Sequence, residues 1–131
     1  MKHFILITLI ISSLFSARLN WLHDYNSALI LAEMQNKNVF LFIGADECRY
    51  CDKFVKETLS KEDVIKRLKE DYILLYMSRD QHKIPDKFER YGVPRQYFLN
   101  PKGEIIYETK GSREIDGFYQ LLDEVDLEKD D

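Results

Sequence analysis

The sequence predicts an α/β domain with a mixed central sheet flanked by helices, closed by a C-terminal antiparallel hairpin and a last helix. Three observations predict it. Residues 39–43 (Val39, Phe40, Leu41, Phe42, Ile43) and residues 72–77 are unbroken apolar runs of strand length, as strands covered on both faces require. Segments with apolar residues at helical spacing precede, separate and follow these runs. Near the C-terminus, Asn100-Pro101-Lys102-Gly103 reads as a tight turn between two short strand-like stretches. Helices alternating with strands indicate a parallel part of the sheet, and the hairpin an antiparallel part.

The elements follow in order. Residues 1–17 differ from the rest: Lys2 is followed by a run that is apolar over 4–11 except for Thr8, and then by Ser12, Ser13, Leu14, Phe15, Ser16 and Ala17. This is the layout of a signal peptide cleaved after Ser16 or Ala17, its apolar stretch shorter than the roughly 20 residues of a spanning helix. The mature chain is therefore expected to be exported, periplasmic or otherwise, and free of the membrane once cleaved.

Trp21, Leu22, Tyr25, Ala28, Leu29, Ala32 and Met34 place a helix over 22–36, ended by Asn36-Lys37-Asn38. The strand over 39–43 leads through Gly44-Ala45-Asp46-Glu47 into a helix over 48–58, with Cys51, Phe54, Val55 and Leu59 on its inner side. Ser60 is the expected N-cap of a helix reaching Glu70, buried through Val64, Ile65 and Leu68. After the strand over 72–77 come a polar loop, a short helix over 84–91, the turn Gly92-Val93-Pro94 and a strand over 96–99. The hairpin returns through 104–108, and a helix over 114–125 closes the domain, which spans 18–126. Residues 127–131 form an acidic tail to which no function is assigned.

With 131 residues, 45% hydrophobic and 32% charged, the chain suits one domain with one core. Its net charge of −4 and the interleaving of basic with acidic residues exclude nucleic acid as a partner, because counterion release needs a clustered basic face.

Only two cysteines occur, and they stand three apart in Cys48-Arg49-Tyr50-Cys51. A bridge between them closes almost no loop, so stability is a weak reason for the pair. At a helix start, unpaired N–H groups and the positive end of the helix dipole favour thiolate, which makes Cys48 the expected nucleophile. Cys51, one turn further in, would resolve the mixed disulfide that Cys48 forms. A zinc site would need more ligands than His23 and His82 supply, so no metal and no cofactor is assigned. A copper carrier would have to use His82. Arg49 favours the Cys48 thiolate while Glu47 opposes it.

Together these features resemble the thioredoxin superfamily over about residues 21–125. An apolar strand, Cys48-Arg49-Tyr50-Cys51 on a helix, Gly92-Val93-Pro94 leading into a strand, Lys102-Gly103-Glu104 in the hairpin turn and a final helix follow one another in the family's order. The run from Phe54 to Val64 is similar to the exported branch with the SoxW-like proteins and the C-terminal domain of the DsbD reductase. The resemblance implies a thioredoxin-like fold and a thiol–disulfide oxidoreductase. Its partners would be protein disulfide or dithiol substrates and an exported or membrane redox partner. It further implies that Pro94 is cis and packs on the cysteine pair, and that the Val93 backbone pairs with an extended substrate. Arg49, Tyr50 and Arg95 complete the expected substrate-binding set.

Three positions depart from the family. Glu47 replaces the usual aromatic before the first cysteine, Arg95 replaces a small residue after the proline, and Phe42 stands where thioredoxin has a buried Asp that serves the second cysteine. Glu57 or a water is left to take that Asp's role. Reduction of substrates is favoured over oxidation or isomerisation, and a binding module with little turnover is the competing class.

Overall fold

Strand β2 (Asn38–Gly44) is the axis of the sheet in the computed structural model, which describes residues 21–129. It pairs in parallel with β3 (Tyr72–Ser78), in register from Asn38 opposite Tyr72 to Gly44 opposite Ser78, and antiparallel with β4 (Arg95–Leu99). Outside these lie β1 (Trp21–Leu22), parallel to β3, and β5 (Ile105–Lys110), antiparallel to β4, in the order β1-β3-β2-β4-β5. The mixed sheet with its hairpin is the predicted one. The expected signal peptide, residues 1–17, lies outside the described residues.

Side chains alternate across a strand, so β2 serves two cores at once. Phe40 and Phe42 face a layer of three helices: α2 (Arg49–Phe54, extended by a π-helical turn over Val55–Leu59), α3 (Glu62–Asp71) and α4 (Ile115–Lys129). Val39, Leu41 and Ile43 face α1 (Tyr25–Gln35) through Ala28 and Ala32, and the loop residues Ile84 and Phe88. Both faces being covered is why the run over 39–43 carries no polar residue.

Several element boundaries differ from expectation, each for a local reason. Helix α1 starts at Tyr25, because Trp21 and Leu22 pair with β3 and the Asp24 carboxylate accepts the Ser27 N–H at 2.9 Å and the Ser27 hydroxyl at 2.7 Å. Met34 turns to solvent. Ser60 is not the cap of α3: its hydroxyl donates to the Lys56 carbonyl, finishing the preceding helix, and Lys61 occupies the N-cap position. Residues 84–91 form turns and no helix. Pro85 disfavours helical geometry at Ile84, and the Glu89 carboxylate accepts the N–H groups of Arg90 and Tyr91, which bends the chain where a helix would continue. Helix α4 runs on past Val125 to Lys129, whose ammonium stands 4.2 Å from the Tyr72 ring centroid. The hairpin turn depends on Gly103, with φ +82° and no room for a Cβ beside the Tyr25 hydroxyl.

The Asp24 cap gives a pH-dependent expectation. Hydrogen bonds from the Ser27 hydroxyl and N–H hold its carboxyl below the ordinary 3.8. A folded-state pKa below the unfolded one stabilises above the unfolded value and ceases to as pH falls through the folded value. Asp24→Ala should therefore lower the melting temperature at neutral pH, and the difference from wild type should close in acid. Parallel melts of the two proteins across that range check it; a difference that ignores pH sinks it.

Candidate functional site

The turn after β2 delivers Cys48 to the N-cap of α2 in extended conformation, φ −143° and ψ 101°, with its sulfur accepting the Cys51 N–H at 3.1 Å. Cys48 and Cys51 are joined as a disulfide with Cα atoms 5.2 Å apart. Their environments differ. Cys51 is buried against the core that holds Phe42 and Phe54, whereas Cys48 is half-buried at its edge. After reduction, the reachable sulfur is thus also the one that receives a backbone N–H, an arrangement that favours its thiolate.

Beside the pair lies an open cleft of about 680 Å³, bordered by Tyr50, Lys53, Gly92, Val93, Pro94, Lys110 and Gly111. The Val93–Pro94 peptide bond is cis, preceded by Gly92 at φ +71°. The Pro94 carbonyl accepts the Gly111 N–H at 2.8 Å, which fixes the proline against the start of the β4–β5 pair. Tyr50 is 59% exposed, and the Arg49 guanidinium sits 5.8 Å from its ring centroid. Arg95 behaves differently from the others: its Nε donates to the Tyr91 carbonyl, so the side chain clasps the turn that carries Gly92. Of the residues expected to bind substrate, Val93, Pro94 and Tyr50 share the cleft, while Arg49 and Arg95 flank it.

Phe42 is buried between Trp21, Phe54 and Tyr76, so the floor behind Cys51 is aromatic. Glu57 is exposed and lines a different cleft, together with Glu114 and Asp116. Sequence reasoning overlooked Tyr76, which pairs across β2 and β3 with Phe42 and is half-buried. Burial, and secondarily the Asp46 carboxylate, raise its hydroxyl above the ordinary tyrosine range. The signal was present in Gly44, a glycine within an apolar strand. A Cβ there would stand 3.1 Å from the Tyr76 hydroxyl and 3.5 Å from the Cys51 sulfur.

Two histidines lie near this tyrosine, also unforeseen. The rings of His23 and His82 stack with centroids 5.3 Å apart, and both meet the Tyr76 ring edge-on. His23 Nδ1 bonds the Tyr76 carbonyl at 3.0 Å and His82 Nδ1 accepts the Ser78 N–H at 2.8 Å. Among the described residues, no group of three or more His, Cys, Asp or Glu side chains is arranged to hold a metal ion. Nor is any described helix long and apolar enough to cross a membrane.

Comparison with known proteins gives the same frame. Residues 20–101 match the Thioredoxin-like family. Anterior gradient protein 3 of Mus musculus is 28% identical over 96 residues, covering 71% of this chain and 56% of the relative. The chain spans about half the length of the curated relatives it matches. Among solved structures, a thioredoxin from Thermus thermophilus superposes with a TM-score of 0.66 at 25% identity, covering 82% of this chain and 86% of that one. The oxidised C-terminal domain of Neisseria meningitidis DsbD does so with a TM-score of 0.61 at 16% identity, covering 75% and 89%.

Proposed function

This chain belongs to the thioredoxin-like family, and from that premise we propose that it is an exported thiol–disulfide oxidoreductase that reduces protein disulfides. A single observation carries the chemistry: of two bonded cysteines on one helix turn, the half-buried Cys48 takes the Cys51 N–H, and Cys51 is buried behind it. That asymmetry supports the roles that follow. In the reduced protein Cys48 attacks a substrate disulfide, the leaving sulfur departs as a thiolate, and a mixed disulfide remains. Cys51 then attacks Cys48, releasing the second substrate sulfur and restoring the intramolecular bridge.

Substrate approach is supported by the cleft. Val93 precedes Pro94 outside the β4–β5 ladder, so its backbone is placed to pair with an extended segment in the manner of a short added strand. Tyr50 offers an exposed ring over the same cleft. Export is supported by the composition of residues 1–17, which reads as a cleaved signal. An exported or membrane-bound dithiol would then return Cys48 and Cys51 to the reduced state.

Two measurements test the reading. The dithiol form should precipitate insulin, by reducing its interchain disulfides, much faster than dithiothreitol alone; a rate no higher than that of free dithiothreitol overturns it. The Cys48–Cys51 potential, equilibrated against glutathione, should fall near the roughly −270 mV of a reductant. A value near roughly −120 mV would make the protein an oxidant.

A further inference from the structure

Phe42 leaves the buried cysteine without a carboxylate, and the neighbouring strand supplies a different group. We propose that the Tyr76 hydroxyl handles the proton of Cys51, passing it through Ser78 to Asp46 and so to solvent. The proposal deepens the redox reading of the cysteine pair and rests on it.

Three observations place the relay. Tyr76 lies opposite Phe42 in the parallel β2–β3 pair, its ring centroid 5.1 Å from that of Phe42, on the face of the sheet that carries Cys51. Its hydroxyl and the Cys51 sulfur both border the point where Gly44 has no side chain, at 3.1 and 3.5 Å from an added Cβ. Ser78, two residues on along the same face of β3 and opposite Gly44 in the β2–β3 register, lies at the same end of the strand as the Tyr76 hydroxyl and donates its own hydroxyl to Asp46 Oδ1 at 2.9 Å. Asp46 is exposed, and it is held at the sheet end by the Gln81 amide at 2.7 Å and by its own N–H donating to Asp80 at 2.8 Å. These groups succeed one another from a buried sulfur to a solvated carboxylate.

The other charged or titratable groups facing this spot are otherwise engaged. His23 and His82 meet the edge of the Tyr76 ring, and their Nδ1 atoms are taken by the Tyr76 carbonyl and the Ser78 N–H. Asp80 is tied to the Asp46 N–H, and Asp52, beside Cys51 on α2, is exposed.

In the resolving step the Cys51 thiol gives its proton to the Tyr76 oxygen as Tyr76 gives its own to Ser78, and Ser78 gives its own to the Asp46 carboxylate. The Cys51 sulfur then attacks Cys48; the Cys48–Cys51 bond forms and the Cys48–substrate bond breaks, its electron pair leaving on the substrate sulfur. The substrate is reduced by two electrons and the protein dithiol is oxidised. Tyr76 ends neutral, so its reluctance to ionise does not obstruct the transfer. It acts as a positioning and relay residue for Cys51.

Stopped-flow reaction of the reduced protein with dithiobis(nitrobenzoate) separates the steps, because Cys48 releases one coloured thiolate and Cys51 the second. In Tyr76→Phe, which keeps the ring, the first phase should stay within about twofold. The second should slow by about a hundredfold at neutral pH, the low end of general acid–base effects, and recover as alkali ionises Cys51 unaided. Ser78→Ala, which leaves the tyrosine untouched, should reproduce that pH-dependent deficit. A second phase unchanged in both variants, or slowed equally at every pH, overturns the relay. If the wild-type first phase is no faster than that of a free thiol, the redox reading itself fails, and the two failures are told apart.

Discussion

Cys48→Ser should lose disulfide reductase activity altogether, while Cys51→Ser should retain the first half of the reaction and become a trap. The roles follow from exposure and hydrogen bonding. Cys48 is the sulfur a substrate can reach and the one that receives an N–H, so no other group replaces it as nucleophile. A serine hydroxyl at that position does not ionise in the working range, and loss of a nucleophile costs about three orders of magnitude or more. Cys51 is 3% exposed, so Cys48→Ser leaves a thiol that a folded substrate cannot approach. In Cys51→Ser the mixed disulfide forms and nothing inside the protein resolves it. Non-reducing gels of cell extracts after acid quenching should show Cys51→Ser joined to clients through Cys48, with the adducts lost on adding dithiothreitol. Trapping by Cys48→Ser and not by Cys51→Ser would reverse the assignment; trapping by neither, with full client binding, would leave a domain that binds without turnover.

The fold was legible because its signals are redundant. The sheet's central strands announce themselves as residues 39–43 and 72–77, apolar on both faces because cores lie on both sides. The Cys48–Cys51 pair was suggested by its spacing together with its helix start, and the cis bond at Pro94 only through the resemblance that the order of motifs carries. What the sequence concealed depends on tertiary register. Nothing local to Tyr76 distinguishes it from Tyr72, the other aromatic residue of its strand; only its pairing with Phe42 and the missing side chain of Gly44 bring its hydroxyl towards Cys51. The helix expected over 84–91 failed for a related reason. Ile84 and Phe88 have helical spacing and both are buried, yet Glu89 uses its carboxylate on the following N–H groups and the chain turns. Apolar periodicity reports what is buried and leaves the backbone path open.

Helix α2 carries the second large expected effect, since periodicity there names the wrong partner for Phe54. A continuous α-helix from Cys48 would turn Cys51, Phe54, Val55 and Leu59 inward together. The chain instead widens into a π-helical turn over Val55–Leu59, which adds a residue to the turn and brings Thr58 and Leu59 to the core. Thr58 is satisfied there by donating its hydroxyl to the Arg113 carbonyl at 2.6 Å. Val55 is rotated outward to 43% exposure, where it borders an apolar cleft with Trp21 and Leu59. Phe54 stays fully buried, edge-on to Phe42 and to Phe118, each with ring centroids 5.6 Å away. It thereby joins the helix bearing Cys51 to both the sheet and α4. Phe54→Ala should cost about 3–5 kcal/mol, from lost burial and the cavity left between two rings that cannot close on each other. That is a large part of the roughly 5–15 kcal/mol that holds a domain of this kind together. Val55→Ala should cost no more than about 0.5 kcal/mol, as for a surface site. Denaturant melts of both variants in the oxidised state read the difference directly. Equal losses would mean that Val55 packs inward in solution and that the π turn is absent. A large loss confined to Phe54 would place the anchor of the reactive helix in the aromatic layer behind Cys51.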